Sequence, residues 1–428
     1  MSKPVVLHEW EHVSIGAGAA GYGLTRQHAD ALLQVARASR FGGEDGETVL
    51  VDKGRRLQAQ QVVGVISTPC ATMEILPKID GLDDGGTRRN LVHMLARVLD
   101  LRVSPGAIDD HDWQRDDLLE VLMRLFCDEL AKVVRRGLPR RYIEHVDDLA
   151  TLRGRLQVMR QFTVLATTPN KLACRYDELS SDTALNQIMK AAVAKLSRVA
   201  RSSETQRRLA EVALVFADVT LPALGALPWS AVVLDRLNGS WAGLLGLARL
   251  LLGDRFQTTS LGDSKGFSLL FEMNKLFEEY VGRRLRHALS GSGLDVRLQG
   301  PRDHVLEDAE GVRRFATKPD IVVSEARRPV LVVDTKWKRL RALSDDPKRG
   351  VSQADVYQML AYAQVYRCQR LMLLYPHHSG LGPTDGPLAV HKVRGQPNVE
   401  LTVASIDLSD LASIAPRLRA LVMAQPAV

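Results

Sequence analysis

The chain has 428 residues, 45% of them hydrophobic, with 57 Lys plus Arg against 50 Asp plus Glu for a formal net charge of +7. That length allows two or three domains, and the apolar content supports ordinary globular cores, which argues against a disordered chain. Cys70, Cys127, Cys174 and Cys368 lie far apart with no CxxC pair, so neither a zinc ribbon nor a disulfide framework is expected.

Taken in chain order, the opening MSKPVVLHEWEHV lacks the basic and apolar regions of a signal peptide, so a cytoplasmic protein is expected. No uncharged apolar run reaches the 18 residues of a membrane span. Residues 1–86 read as a β-rich module. LHEWEHVSI, ETVLVD, LQAQQVVGVIST and TMEILPKI carry β-branched residues between Gly, Pro and Asp, and one helix is expected over 24–39. Residues 87–260 read as a helical connecting region. RRNLVHMLARVLDL, DDLLEVLMRLFCDELAKVVRRGL, TALNQIMKAAVAKLSRVA and WAGLLGLARLLLG place apolar residues at i, i+3, i+4. A short extended hairpin is expected over RGRLQVMRQFTVLATTPNKLACRYDEL. The polar LGDSKG joint at 261–266 suggests a domain boundary. Beyond it, 261–428 reads as an α/β domain with a helix over 267–289, several strands, a helix over 352–367 and a last helix near 410–423. The fold class is therefore α/β multidomain. Residues 261–428 hold 24 Lys plus Arg and 19 Asp plus Glu, +5 of the net +7, a mild basic bias compatible with nucleic acid.

The strongest chemical signal lies between Lys318 and Lys336. KPDIVV is a short apolar strand opened by Pro319-Asp320, and 13 residues separate Asp320 from Asp334 in the next run, PVLVVDTKWK. Alternate side chains of a strand share a face, so Asp334 and Lys336 project together. With KPDIVV paired alongside, Asp320 meets Asp334 at one end of the sheet. Two carboxylates and an ammonium converging there suit Mg²⁺-dependent phosphodiester hydrolysis. Hard oxygen ligands hold a cation that keeps waters and takes phosphate oxygens. The cation lowers the pKa of a bound water and neutralises charge on the phosphorane, and Lys336 can orient that water or stabilise the same charge. A surface hairpin with a weak ion pair also shows D-x-K. Here, however, the pair ends an apolar run, where charge is costly without a function.

The spacing PD-(x13)-DxK, followed by a helix carrying Gln358 and Tyr362, resembles the PD-(D/E)xK nuclease superfamily. More closely it is similar to the McrC family, the nuclease subunits of McrBC 5-methylcytosine restriction systems, and their LlaJI-type relatives. VGVIST, MEILPKI, LRGRLQV, CRYDELSSDTALNQIMKA and FEMNKLFEEYV look like that family's segments in the expected order. The resemblance implies that Asp320 and Asp334 are metal ligands, with the Thr335 carbonyl as another and Lys336 as the catalytic lysine. It places a helical Glu near the metal, either Glu278 or Glu279, with Glu278 favoured because it follows Leu276-Phe277. Gln358 and Tyr362, one helical turn apart, face either the site or simply the sheet. The second-strand acid is Asp where the superfamily more often has Glu.

The same resemblance implies partners: a separate McrB-like AAA+ GTPase hexamer, docked through the N-terminal and helical regions, and double-stranded DNA. Cutting both strands with one site per chain would call for a homodimer of nuclease domains. No GxxxxGK[ST] occurs, so no nucleotide is expected on this chain itself. A stand-alone nuclease and a catalytically silent activator of the NTPase are the alternatives. Four other signals are weaker. Gly16 to Gly21 matches GxGxxG but lacks the preceding hydrophobic strand and a suitable acid, Glu44 and Asp45 sitting in a Gly-rich turn. Arg135, Arg136, Arg140 and Arg141 contact partner or DNA, or merely finish a helix. Lys336-Trp337-Lys338-Arg339-Leu340-Arg341 suits a phosphate-tracking groove, and a solvated loop explains it as well. His377-His378 point to opposite strand faces and are expected in a loop, without metal.

Overall fold

The computed structural model describes residues 4–16, 24–39, 41, 48–100, 116–236, 238–253, 256–261, 264–341, 346, 348 and 350–424, with the backbone alone along 256–261 and 264–265. Most of the GxGxxG run and both Glu44 and Asp45 lie outside the described residues. The chain divides into two compact units. One comprises Met1–Asp100, Ser104–Val121 and Arg255–Val428, and the other Leu101–Val103 and Leu122–Asp254. This division cuts the sequence differently from its composition, because the first and last parts of the chain share a sheet.

The N-terminal part supplies β1 (Val5–His8), β2 (His12–Ser14), α1 (Arg26–Arg37), β3 (Leu50–Asp52), β4 (Arg56–Ala59), β5 (Val62–Ser67), β6 (Thr72–Leu76) and α2 (Asp84–Val98). Thr25 caps α1 by accepting from the His28 amide, and Asp83 caps α2 from Gly86. β5 and β6 are buried along their whole length, as continuous apolar runs in a sheet centre are. Glu74 of β6 and Arg88 of α2 form a buried two-point ion pair, at 2.8 and 2.6 Å. Glu74 also accepts from the Leu118 amide at 2.9 Å, so one carboxylate ties strand, helix and the start of α3 (Leu118–Val134).

The second unit takes the rest of α3, then β7 (Arg141–Leu149), β8 (Arg155–Leu156), α4 (Val158–Thr163), β9 (Leu172–Ser180), α5 (Ala184–Val199), α6 (Ser203–Val215) and α7 (Ala242–Leu252). Within the segment of the expected hairpin β8 and β9 do pair antiparallel, but α4 lies between them in sequence and β7 joins β9 as a third strand. Helix α6 is not evident in the sequence, because only Thr205, Leu209 and Val212 of it are buried. Val158, Met159, Phe162 and Tyr142 are exposed apolar side chains of this unit.

The C-terminal part opens with β10 (Phe256–Leu261) and β11 (Ser264–Glu272), paired antiparallel with Leu261 opposite Ser264. Of the expected joint at 261–266, the described residues Leu261 and Ser264 to Gly266 belong to this strand pair. The helix expected from Phe267 begins only at Met273. β11 pairs with β5 from Phe267 opposite Ser67 to Glu272 opposite Val62, and this tertiary pairing overrides the local helical pattern. Then come α8 (Met273–Ala288), β12 (Leu294–Leu298), β13 (Asp303–Glu307), β14 (Arg313–Thr317), β15 (Ile321–Glu325), β16 (Arg328–Thr335), α9 (Gln353–Tyr366), β17 (Arg370–Pro376), β18 (Gly386–Val393), β19 (Gln396–Ile406) and α10 (Ile414–Met423). The first sheet runs β1-β6-β5-β11-β10 and the second β12-β15-β16-β17-β19-β18. In the second, β16, β17 and β19 are parallel, so α9 is the crossover of a βαβ unit. Val322 and Val332 pack with Met359 and Tyr362 of α9, while Ile321, one residue before Val322, lies against Gly282 of α8.

Candidate active site

β15 and β16 pair antiparallel with Ile321 opposite Val333, which sets Asp320 opposite Asp334 at the end of the ladder. Asp320 and Asp334 have the parity of Val322 and Val332, so both project on the α9 side. The Thr335 amide and hydroxyl donate to Asp320 Oδ2 at 2.7 and 2.9 Å, fixing that carboxylate. Lys336 Nζ lies 2.6 Å from Asp334 Oδ2. The contact lacks hydrogen-bond alignment, leaving this buried oxygen with acceptor capacity to spare.

Helix α9 closes the site from the other side. Gln358 Oε1 accepts from Lys336 Nζ at 3.3 Å, and its Nε2 donates to the Tyr362 hydroxyl at 2.7 Å. That hydroxyl in turn donates to the Lys318 carbonyl at 3.3 Å. Asp355, one turn earlier and only 7% exposed, pairs with Lys336 at 3.7 Å and with Lys338 at 3.2 Å. Sequence reasoning passed over Asp355. Its signal was the i, i+3 spacing to Gln358 on one helix face. From α8, Glu278 bonds the Gln299 side chain and is close enough to repel Asp320 and Asp334. Glu279 instead lines a crevice with Phe41, Val98 and Phe271.

Burial, then mutual repulsion, pushes the Asp320 and Asp334 carboxyls up: Glu278 acts on Asp320, and Asp320 on Asp334. Glu278 is raised chiefly by burial as well. Burial alone would lower Lys336, but Asp334 and Asp355 outweigh it and hold the ammonium charged. Such a concentration of buried negative charge with one lysine could take a cation. Among the described residues no group of three or more His, Cys, Asp or Glu side chains is drawn together as a metal cage. The donors present are two carboxylates and neighbouring backbone oxygens, the hard, sparse set that suits Mg²⁺ with waters completing its shell.

The flanking basic run divides by residue. Trp337 is buried, packs edge-on against Phe277 with centroids 5.4 Å apart, and donates to Glu9 Oε2 at 2.8 Å. It is therefore a wall and not an exposed stacking surface. Arg339 pairs with Asp80 at 3.0 Å. His377 accepts or donates at Ser405 (2.9 Å), and His378 Nε2 donates to the Leu340 carbonyl at 2.8 Å, so both clamp loops. In the second unit, α3 ends with the amides of Arg136 and Gly137 bonded to the Val133 and Val134 carbonyls, and Gly137 has φ +96°. That is the helix terminus expected of Arg135-Arg136 on the plainer account. Arg136, Arg140 and Arg141 line a cavity of about 550 Å³ there.

Residues 57–376 match the family model of the McrBC 5-methylcytosine restriction system component. Among solved structures, the chain resembles the McrC of a Thermococcus gammatolerans half-complex of McrB AAA+ hexamers with bound McrC. The TM-score is 0.75 at 21% identity over 98% of this chain and 99% of that one. It also resembles a chain of the cryo-EM Thermococcus gammatolerans McrBC complex, with a TM-score of 0.55 at 24% identity over 67% of this chain and 88% of that one. No curated protein matches. No helix among the described residues is long and apolar enough to cross a membrane. With three quarters of its length matched by the family model, the chain belongs to the family of McrBC 5-methylcytosine restriction system components.

Proposed function

We propose that this chain is the Mg²⁺-dependent DNA endonuclease subunit of a 5-methylcytosine restriction complex, working with an AAA+ GTPase ring. The observation that carries the reading is the pairing of Asp320 with Asp334 across adjacent strand ends, with Lys336 2.6 Å from the second carboxylate. Asp320 and Asp334 would hold the cation, the Thr335 carbonyl would add a ligand, and Glu278 would support it through the shell. When bound, Mg²⁺ would activate water and neutralise charge on the phosphate. Lys336 is steered by Gln358 and Asp355 toward the carboxylates, where its ammonium can orient the attacking water and stabilise the developing oxyanion. Thr335 locks Asp320 through two hydrogen bonds, which keeps that carboxylate from turning toward Lys336.

The ring partner is supported by the kinship with an McrC bound to McrB hexamers and by the exposed apolar side chains around α4, a surface suited to docking. Two copies, meeting through the nuclease domains, would cut the two strands. The experiment is cleavage of methylated plasmid in Mg²⁺ by wild type and Asp334→Asn, with and without the GTPase. Cleavage that Asp334→Asn leaves unchanged would remove the assignment.

A further inference from the structure

A cavity of about 330 Å³ opens beside the segment that follows β16 and Lys336. Glu9, Trp10, Lys78, Lys338, Arg339 and His378 line it. Its volume sits at the small end of ligand pockets, about 300–1,000 Å³. Two buried polar atoms in its lining have no hydrogen-bond partner: Glu9 Oε1, on a residue 1% exposed, and His378 Nδ1. Glu9 Oε2 is committed to the Trp337 indole and the Lys78 amide, so Oε1 is the oxygen left for a ligand. His378 Nε2 must donate to a carbonyl, which makes Nδ1 an acceptor. Burial pushes Glu9 up to about 7, against the lowering pull of Trp337 and Lys78, so near neutral pH its carboxyl can donate. Donor and acceptor together are what the edge of a nucleobase requires, and an unfilled buried polar atom costs stability until a ligand pairs it.

Trp10 supplies the second observation. It follows Glu9 in the turn closed by the Glu11 amide on the His8 carbonyl, and has φ +67°. Glycine or asparagine is favoured there. The chain nevertheless keeps a tryptophan 51% exposed at the cavity mouth, with its carbonyl held by Gln58 at 3.0 Å. Strain retained under a large aromatic is a mark of a working surface. Lys78 supplies a cation for a phosphate, and Lys338 and Arg339 stand beside it, released toward a phosphate from their pairs with Asp355 and with Asp80, which also lines the cavity.

We propose that this cavity takes an unpaired nucleotide of the DNA strand, its base stacked on Trp10 and read by Glu9 and His378, its phosphate on Lys78, Lys338 and Arg339. The proposal rests on reading Asp320 and Asp334 as the DNA-cutting centre. Lys338 lies two residues past Lys336, with its amide turned back onto the Lys336 carbonyl at 3.0 Å, so the captured nucleotide neighbours the scissile phosphate. A nucleotide turned out of a duplex is unpaired in this sense.

The test titrates the full chain with a short single-stranded oligonucleotide carrying one 2-aminopurine, using wild type, Trp10→Gly, Glu9→Gln and Lys78→Ala. Wild type quenches the 2-aminopurine by stacking. Trp10→Gly loses the quench and binds about tenfold more weakly, yet melts no lower than wild type because its turn is relaxed. Lys78→Ala reduces the salt slope by about one, and Glu9→Gln, which keeps its bond to Trp337 and presents an amide donor where the protonated carboxyl stands, binds about as wild type does. Unchanged affinity and quench in Trp10→Gly overturn the proposal. Asp334→Asn separates the two claims. If it retains the quench while cutting as wild type does, the catalytic assignment falls and the pocket stands. If it stops cutting while Trp10→Gly binds as wild type does, the pocket alone falls.

Discussion

Gly64 tests whether the first and last parts of the chain are one folded unit. It sits mid-β5, opposite Leu270 of β11, with φ +136°. A Cβ there would stand 1.9 Å from the Leu269 carbonyl oxygen, 2.9 Å from its carbon and 3.0 Å from the Leu270 Cα. These atoms are backbone and cannot rotate away, so Gly64→Ala must part β5 from β11. The backbone conformation alone costs an alanine about 1–3 kcal/mol. Losing one or two ladder hydrogen bonds adds about 1 kcal/mol each, for a total of about 2–5 kcal/mol. In a unit of this size that is a fall of about 10 °C in melting temperature. Gly81→Ala is the control, since Gly81 has φ +81° but nothing within 4 Å of an added Cβ, and it should lose only the conformational share. Thermal melts followed by circular dichroism compare the two. Equal losses in both variants would refute the claim that strand contact at Gly64 holds the sheet together.

Lys336→Met should lower cleavage about 10²–10³-fold, as loss of one charge aimed at the transition state does, with DNA binding largely kept. Asp355→Asn, which releases Lys336 and Lys338 without touching the carboxylate pair, should lower kcat about tenfold while KM holds; an unchanged kcat would exclude a positioning role. Glu9 predicts a pH effect on stability. Its carboxyl rises from 4.5 to about 7 on folding, so the folded state binds the extra proton and wild-type stability falls as pH rises across that interval. Glu9→Gln lacks the slope and should be the more stable form at pH 8, by on the order of 2–3 kcal/mol; urea melts at pH 5 and pH 8 check it, and parallel pH profiles would contradict it. Finally, Cys70 is exposed while Cys127, Cys174 and Cys368 are buried, so one thiol should react quickly with a disulfide reagent in the native protein and three only on unfolding.

Strand periodicity made part of the site legible in the sequence. Parity alone puts Asp334 and Lys336 on one face, and the ion pair follows from it. The helical spacing of Gln358 and Tyr362 likewise puts them on one face, which the packing turns toward the lysine. What decides between neighbours was not legible. Glu278 and Glu279 are about 100° apart on α8, and only the packing of that helix on β12 and β15 turns Glu278 toward the carboxylates. Asp355 looked like any acid in the first turn of a helix until its burial beside two lysines was known. Trp337 looked like a stacking residue within a basic run, but Phe277 and Glu9 draw it inside. The compact units divide the chain elsewhere than its composition does, for a similar reason. β5 and β11 lie about 200 residues apart in sequence, and no local pattern announces their pairing. Before β11 is known to join that sheet, FSLLFE reads as the start of the helix that follows.

The most direct test is cleavage of a 5-methylcytosine-containing plasmid in Mg²⁺ by wild type and Asp334→Asn, each with and without the AAA+ GTPase and GTP. The account predicts cutting by wild type only with the motor and GTP present, and none by Asp334→Asn under any condition. Cutting by wild type alone would contradict the motor-dependent part of the account. Full activity in Asp334→Asn would contradict the site itself.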